Sequence, residues 1–95
     1  MSETVDDITI TFLEDGIERV RELDKQILSK GAWVTIMFSY QEWVPAKNEY
    51  GPTKYTIRRY QKRNDQYWQK SKFNISSAEQ AKKIIETLST WISAS

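Results

Sequence analysis

Apolar and polar positions alternate most regularly in residues 32–44, AWVTIMFSYQEWV. A period of two places every second side chain on the same side of a strand. One side carries the residues that we expect in the core: Val34, Ile36, Phe38 and Tyr40. The other side carries Trp33, Met37 and Trp43 among polar residues. We therefore predict a strand with one buried face.

Residues 53–62 and 66–75 are predicted to form a β-hairpin around a turn at 63–65, Arg-Asn-Asp. A two-residue turn would pair Ile57 with Lys72 and so mix core and charged positions. A three-residue turn keeps the two kinds of position apart, and Asn or Asp tolerates the left-handed conformation that such turns need. We therefore predict the three-residue turn.

The three-residue register assigns each side chain of the hairpin to a face. The apolar set is Tyr55, Ile57, Phe73 and Ile75. The opposite set is Thr56, Arg58, Tyr60, Lys62, Trp68, Lys70 and Lys72. We expect the apolar set to lie in the core beside the apolar side of residues 32–44.

Residues 76–93 are predicted to form an amphipathic helix that begins at a capping box of Ser76 and Glu79. Its apolar residues recur at helical spacing: Ala81, Ile84, Ile85, Leu88, Trp91 and Ile92. We expect this stripe to cover the apolar face of the sheet.

Two segments near the N-terminus allow more than one interpretation. Residues 17–29, IERVRELDKQILS, carry apolar residues at the spacing of a helix that ends before Gly31. The same stretch could instead be a strand that turns at Lys30-Gly31. Residues 8–12, ITITF, predict a short strand or an extended tail.

The composition limits the classes of protein that fit. A chain of 95 residues forms one domain with a small core, so oligomerisation is expected. The absence of cysteine and histidine removes thiolate chemistry and the commonest general base, and we expect neither an enzyme nor a cofactor. No apolar run approaches the ~20 residues that span a bilayer, and no signal peptide is recognisable, so we expect no membrane contact and a cytoplasmic location.

The net charge of +1 conceals an asymmetry along the chain. Residues 1–30 carry eight acids and four bases, net −4, whereas residues 31–75 carry three acids and eight bases, net +5. We divide the chain into an acidic N-terminal segment, residues 1–18, and a binding domain, residues 19–93. A local basic surface is typical of a protein that binds nucleic acid.

The sheet face opposite the helix is predicted to combine flat aromatic rings with cations. Exposed bases stack on aromatic side chains at about 1–3 kcal/mol per base, and Lys and Arg neutralise phosphates. Duplex DNA hides its base faces, so the expected ligand is single-stranded DNA or alternatively RNA. The candidate nucleic-acid-binding residues are Trp33, Trp43, Arg58, Tyr60, Lys62, Trp68, Lys70 and Lys72. Arg59, on the core side, and Arg63, in the turn, are not assigned to this site.

Other uses of the same face stay open. It could bury a protein partner, since Trp and Tyr are enriched at interfaces. Trp33 or Trp43 could lie in a subunit interface. Tyr60 opposite Trp68 could be an ordinary cross-strand pair that stabilises the hairpin.

The order of motifs resembles the positive cofactor 4 family of transcriptional coactivator-like proteins, which has bacterial and phage members. The similar stretches are YQEW at the end of a strand, then PTKYTIRRY, then SKFNIS running into a helix. The resemblance covers residues 19–92 and implies a ββββα subunit with a curved four-stranded antiparallel sheet. It also implies a homodimer built partly through the C-terminal helices. It makes residues 19–29 a strand, which we adopt as the prediction.

By the same resemblance, Trp43 stands where the family has a DNA-stacking tryptophan, and Trp33 matches an aromatic residue near a turn in bacterial members. Lys70 and Lys72 fall near basic residues that precede the last strand positions, although the glycine common there in the family is missing. The resemblance implies a non-catalytic, coactivator-like protein that binds single-stranded DNA across its sheet. We expect it in the cytoplasm, including the nucleoid or a phage-infected host.

Overall fold

The structure is a computed structural model that describes residues 4–94. They form an α+β fold, as predicted, in which a curled antiparallel sheet precedes a C-terminal helix. The strands are β1 (Phe12–Glu14), β2 (Ile17–Ser29), β3 (Trp33–Val44), β4 (Glu49–Tyr50), β5 (Lys54–Arg63) and β6 (Gln66–Ile75). The helix is α1 (Ala78–Ala94), and short 3-10 turns lie at Val5–Asp7 and Pro45–Lys47.

The strand order is β1-β2-β3-β5-β6, with β4 beside β3, and each pairing is antiparallel. The described part of the chain thus holds six strands where four were expected. The hairpin strand β6 lies at an edge of this sheet. No helix within residues 4–94 is long and apolar enough to cross a membrane.

The segment with the ambiguous pattern, Ile17–Ser29, is a strand, as the family resemblance implied. Its register with β3 shifts twice, at Leu23 and at Leu28. Each β-bulge inserts one residue and so interrupts the two-residue period of the strand. The apolar spacing therefore imitates a helix, although pairing with β1 and β3 holds the segment extended.

The hairpin turn has two residues, Asn64-Asp65, so the predicted three-residue turn is wrong. Both residues have positive φ, 53° and 62°, as tight hairpin turns require. A β-bulge in β6 then inserts Lys70. Beyond the bulge Lys72 lies opposite Arg58 and not opposite Ile57. The bulge thus prevents the mixing of core and charge that argued against the short turn.

The pairing of β3 with β5 decides which side chains share a face of the sheet. Three pairs lie on the buried side: Val34 with Tyr60, Ile36 with Arg58, and Phe38 with Thr56. Trp33 lies on the other side, opposite Gln61. The prediction that Arg58 and Tyr60 share a face with Trp33 is therefore wrong. The alternation within the hairpin shows which hairpin residues share a face. It does not show which of the two sets lies on the buried side of β3, because that depends on how β5 pairs with β3.

The buried side of the sheet is covered by residues 5–11, which we call the strap. Its two isoleucines belong to a core made of Ile8, Ile10, Val34, Ile36, Phe38, Tyr40 and Tyr60. Part of the acidic segment predicted at residues 1–18 is thus integral to the fold, and β1 pairs with β2. We call this side of the sheet the covered face and the other side the open face.

Two side chains of β2 hold the strap in place. Lys25 Nζ donates to the backbone carbonyls of Val5, Asp6 and Ile8, at 3.1, 2.9 and 2.8 Å. Glu22 Oε1 accepts a hydrogen bond from the Thr9 hydroxyl at 2.7 Å. An ammonium group has three donors, so all the donors of Lys25 are hydrogen-bonded to the strap backbone.

The helix α1 does not cover the sheet, so the predicted packing of its apolar stripe is wrong. No residue within Ala78–Ala94 is buried, and Ile85 and Leu88 are exposed. The physical reason is that the strap already occupies the side that the helix was expected to cover. The helix begins one residue later than the predicted box, because Ser77 Oγ accepts from Gln80 N–H at 3.1 Å.

Candidate nucleic-acid interface

The eight candidate residues lie on both sides of the sheet. Three are on the open face: Trp33, Trp43 and Trp68. Four are on the covered face: Arg58, Tyr60, Lys62 and Lys72. Lys70 lies in the bulge of the edge strand β6. The predicted single surface is therefore wrong, while the contact of each residue with nucleic acid stays a prediction.

Trp33 and Trp68 are the two ends of one cross-strand row. Trp33 on β3 lies opposite Gln61 on β5, and Gln61 lies opposite Trp68 on β6. Neighbouring strands are about 4.8 Å apart, so the row holds the two tryptophans about 10 Å from each other. Their exposed fractions are 40% and 39%, which leaves part of each indole accessible for stacking.

Arg59 adds a cation to this row. Its Cζ lies 4.6 Å from the ring centroid of Trp33, within the range of a cation–π contact. Arg59 is exposed and shares the open face with Gln61. A guanidinium that stacks on a ring still presents N–H donors in its own plane, where a phosphate oxygen can accept them.

The hairpin turn forms a cavity beside Trp68. The cavity has a volume of about 340 Å³ and is lined by Arg63, Asn64, Trp68, Gln69 and Lys70. Two cations and two amides thus surround one ring, which suits a base and its phosphate. We call the open-face residues and the bulge residue at this end of the sheet the tip surface: Trp33, Arg59, Gln61, Arg63, Trp68 and Lys70.

Arg59, Gln61 and Arg63 belong to the tip surface although the sequence prediction omitted them. The signal that would have included them is the Asn64-Asp65 pair, because both residue types tolerate the positive φ of a two-residue turn. That turn puts Gln61 opposite Trp68, and the pairing of β3 with β5 places the odd-numbered residues of β5 on the open face.

A second cavity, of about 470 Å³, lies on the covered face between the strap and β6. We call it the edge groove, and it is lined by Ile8, Thr9, Arg58, Tyr60, Tyr67, Trp68 and Gln69. Arg58 Nη1 donates to Gln69 Oε1 at 3.1 Å. Arg58 Nε is buried and finds no acceptor among residues 4–94.

Tyr60 is a wall of the edge groove and not a stacking platform, because only 6% of it is exposed. Burial raises the pKa of the Tyr60 hydroxyl above its ordinary value, and the charge of Arg58 partly opposes this shift. Tyr67 is half-buried, and Lys62 Nζ lies 5.8 Å from its ring centroid. The groove therefore offers cations and a partly accessible ring.

Trp43 lies at the far end of β3 from Trp33, about 33 Å along the strand. Its ring packs edge-on against Tyr50 with 5.1 Å between centroids. Arg21 Cζ lies 3.7 Å from the Tyr50 centroid, and Arg21 Nη2 donates to Gln41 Oε1 at 2.6 Å. These contacts join β2, β3 and β4, so Trp43 belongs to a structural cluster away from the tip surface.

The cations of the hairpin differ in how strongly the protein already engages them. Lys54 Nζ lies 2.6 Å from Glu42 Oε1, and this hydrogen bond holds the pKa of Lys54 above its ordinary value. The three tip cations, Arg59, Arg63 and Lys70, form no ion pair with the described residues. The tip cations are therefore better placed than Lys54 to neutralise a phosphate.

The centre of the open face is apolar. Met37 lies opposite Ile57, which lies opposite Phe73, and 51% of Phe73 is exposed. Ile85 and Leu88 of α1 are also exposed. A single copy of the chain therefore presents two apolar surfaces to solvent, apart from the tip surface.

Comparisons with protein-family models, with curated proteins and with solved structures gave no match. Within residues 4–94, no group of three or more His, Cys, Asp or Glu side chains is arranged to hold a metal ion. The candidate interface therefore rests on the geometry and chemistry of its own side chains.

Proposed function

We propose that the chain binds single-stranded DNA through the tip surface and catalyses no reaction. The observation that carries this proposal is the row of Trp33, Gln61 and Trp68, with Arg59 stacked on its first ring. Each accessible indole can stack one base, worth about 1–3 kcal/mol. Bases are accessible for stacking in a single strand and are hidden in a duplex, which favours the single strand.

The local charge supports the same ligand. Residues 54–72 contain seven bases and one acid, although the whole chain carries only +1. If Arg59, Arg63 and Lys70 each neutralise a phosphate, the logarithm of affinity should fall with the logarithm of salt concentration at a slope of about −2. A coactivator-like role in transcription is the setting that the resemblance to the positive cofactor 4 family supports.

Fluorescence polarisation with a labelled single-stranded oligonucleotide tests the proposal. The double variant Trp33→Ala, Trp68→Ala should bind about 30-fold or more weakly, because it removes two stacking platforms. The double variant with Phe at both positions keeps two rings and should retain most of the affinity. Unchanged affinity of the alanine variant would contradict binding at the tip surface.

Charge variants and competitors identify the ligand class. Arg59→Gln should weaken binding and flatten the salt slope, whereas Lys82→Gln on α1 is the matched control and should do neither. RNA of the same sequence should compete less well than DNA. If RNA competes more strongly, the ligand is RNA; if neither competes, the aromatic tip serves a protein partner.

We also propose that a second copy of the chain covers the apolar surfaces. The strap occupies the covered face, so α1 cannot cover it, and the Met37–Ile57–Phe73 row is open to a partner. Large exposed apolar patches on one chain mark interaction sites. If α1 of each copy packs its apolar side on the Met37–Ile57–Phe73 row of the other copy, both patches are buried. The result is a symmetric homodimer.

Sedimentation velocity tests the homodimer. The full chain should sediment as a dimer at micromolar concentration, and Leu88→Lys, within the exposed apolar side of α1, should shift it to a monomer. Lys82→Glu, on the same helix, is the control and should leave the dimer intact. A monomer at every concentration would contradict the homodimer and leave DNA binding at the tip surface unaffected.

A further inference from the structure

We infer that single-stranded DNA bound at the tip surface continues over the edge of β6 into the edge groove, so that one strand contacts both faces of the sheet. This inference rests on the proposed function and extends it to a second surface. Its starting observation is that the cavity at the hairpin turn and the edge groove share two lining residues, Trp68 and Gln69. The two cavities therefore meet at one point of β6.

The path between the cavities crosses an edge of the sheet. β6 pairs with β5 alone among the described strands, so no neighbouring strand separates the open face from the covered face there. Lys70 lies in the bulge at this crossing and has no pairing partner on β5. Bulges and lysines also protect edge strands from aggregation, and this role alone would explain why Lys70 lies in a bulge. It would not explain why a groove lies beside Lys70.

The edge groove has the chemistry that a DNA backbone needs. Arg58 lines the groove, and Lys72 lies opposite Arg58 on β6 and is exposed. The hydrogen bond from Arg58 to Gln69 orients the guanidinium, and Arg58 as a whole is only partly buried. The positive charge of Arg58, held in this way at the groove, attracts a phosphate, and Lys72 supplies a second cation beside it.

Aromatic rings lie on both sides of the crossing. Tyr67 and Trp68 are consecutive residues of β6 and therefore point to opposite faces of the sheet. Tyr67 lines the edge groove, whereas Trp68 ends the tip row. A strand that rounds the edge meets a ring on each side, whereas a strand lying flat on the open face would not reach Tyr67.

A single strand fits this path better than a duplex does. Duplex DNA is stiff over about 150 base pairs and cannot bend around the edge of one sheet at moderate cost. Single-strand-binding domains of similar size contact about 4–16 nucleotides, which is enough for a strand to occupy both surfaces. The expected ligand of the combined surface is therefore a flexible single strand longer than the tip alone accommodates.

Two oligonucleotides, of about 4 and about 12 nucleotides, test the continuation when titrated into the full chain. Lys72→Glu should weaken binding of the longer one about 10-fold and change the shorter one less than about twofold, because only the longer strand reaches the groove. Lys82→Glu on α1 is the matched control and should change neither. The salt slope should be steeper by about 2 for the longer strand, since Arg58, Lys62 and Lys72 then join the contact.

A long oligonucleotide could also gain affinity by reaching the tip of a second subunit, but that gain would not depend on Lys72. Equal affinity of Lys72→Glu and the unsubstituted chain for the longer strand would overturn the continuation. Lys72→Gln removes the charge without reversing it and should give a smaller loss of the same kind. Failure of the proposed function gives a different result, namely that the alanine variant of Trp33 and Trp68 binds both oligonucleotides normally.

Discussion

The two faces of the sheet carry similar apolar rows, but the chain covers only one of them. On the covered face the strap closes over β3, and Phe38 is 1% exposed. On the open face Phe73 is 51% exposed, although it belongs to the row of Met37 and Ile57. The two rings differ in exposure because the strap covers one face and not the other. The apolar pattern of the strands is similar on both faces.

This contrast separates two roles of an amphipathic sheet. A face covered by its own chain gives the fold its stability, because the apolar side chains leave water in every copy. A face without such a cover gives a surface for association, since its rings and apolar rows can still be buried by a ligand or by a second copy. The proposed function needs accessible rings, and the strap leaves the rings of Trp33 and Trp68 on the open face partly exposed.

The largest expected difference between the faces is in the free energy of unfolding. Phe38→Ala removes a fully buried ring and should lower that free energy by about 3–5 kcal/mol. Phe73→Ala removes a half-exposed ring and should lower it by less than half as much in dilute protein. Urea denaturation followed by circular dichroism gives both values, and Phe38→Leu provides a milder core variant if the alanine variant does not fold.

The dependence of these values on protein concentration sharpens the comparison. If a second copy covers the open face, the loss caused by Phe73→Ala should grow with concentration, because association then contributes to stability. The loss caused by Phe38→Ala should change much less. If Phe38→Ala and Phe73→Ala lower the free energy of unfolding equally at every concentration, the two faces are covered to the same extent.

The strap itself can be loosened at Lys25. Lys25→Met keeps the apolar stem but removes the donors to three strap carbonyls, and should lower the free energy of unfolding by about 1–3 kcal/mol. Hydrogen exchange of the strap amides should become faster, while amides of the β5–β6 hairpin should change little. Lys30→Met, at the exposed turn after β2, is the control, and equal exchange in the two variants would contradict the role of Lys25.

Much of the fold follows from local patterns. The predicted bounds of β3, β5 and β6 lie within one residue of the observed ones, because alternation of side chains is a property of the strand backbone itself. The amphipathic helix was also predicted, although the partner of its apolar side was not. What covers a face depends on residues far away in the sequence, and nothing in ITITF marks it as the cover.

The site was harder to predict because it depends on register. Trp33 and Trp68 were predicted as binding residues from their residue types, while Arg59 was assigned to the core side and Arg58 to the binding face. The structure reverses the two arginines, since β3 pairs with β5 so that Arg58 lies opposite Ile36 on the covered face and Arg59 lies on the open face. One inserted residue moves side chains to the opposite face, so composition alone cannot assign them.

The turn that sets this register can be tested at Asp65. Its φ of 62° lies in the region that glycine adopts without steric cost, and Asn-Gly is the most favourable pair for such turns. Asp65→Gly should therefore raise the free energy of unfolding by about 1 kcal/mol, and Asp65→Val should lower it. Nuclear Overhauser contacts between Gln61 and Trp68 should persist in the glycine variant. Loss of stability on Asp65→Gly would argue against the two-residue turn.

The smallest expected effect concerns Tyr60, which is buried in the core on the covered face. Burial raises the pKa of its hydroxyl above the ordinary value of 10.0, so the folded chain resists deprotonation more than the unfolded chain does. The stability of the folded state is therefore complete below pH 10 and falls as the pH rises towards the folded pKa. Tyr60→Phe cannot lose this contribution, so the two stability curves should diverge above that pH. Lys54, whose pKa is also raised, contributes equally to both curves and cancels.

Combining this variant with Lys25→Met links the pH effect to the strap. If the strap excludes water from Tyr60, loosening the strap should hydrate the hydroxyl and return its pKa towards the ordinary value. The divergence that Tyr60→Phe produces between the two stability curves should then shrink in the Lys25→Met background. The same divergence in both backgrounds would mean that β3 and β5 alone bury Tyr60, and that the strap covers the isoleucine core without closing the edge groove.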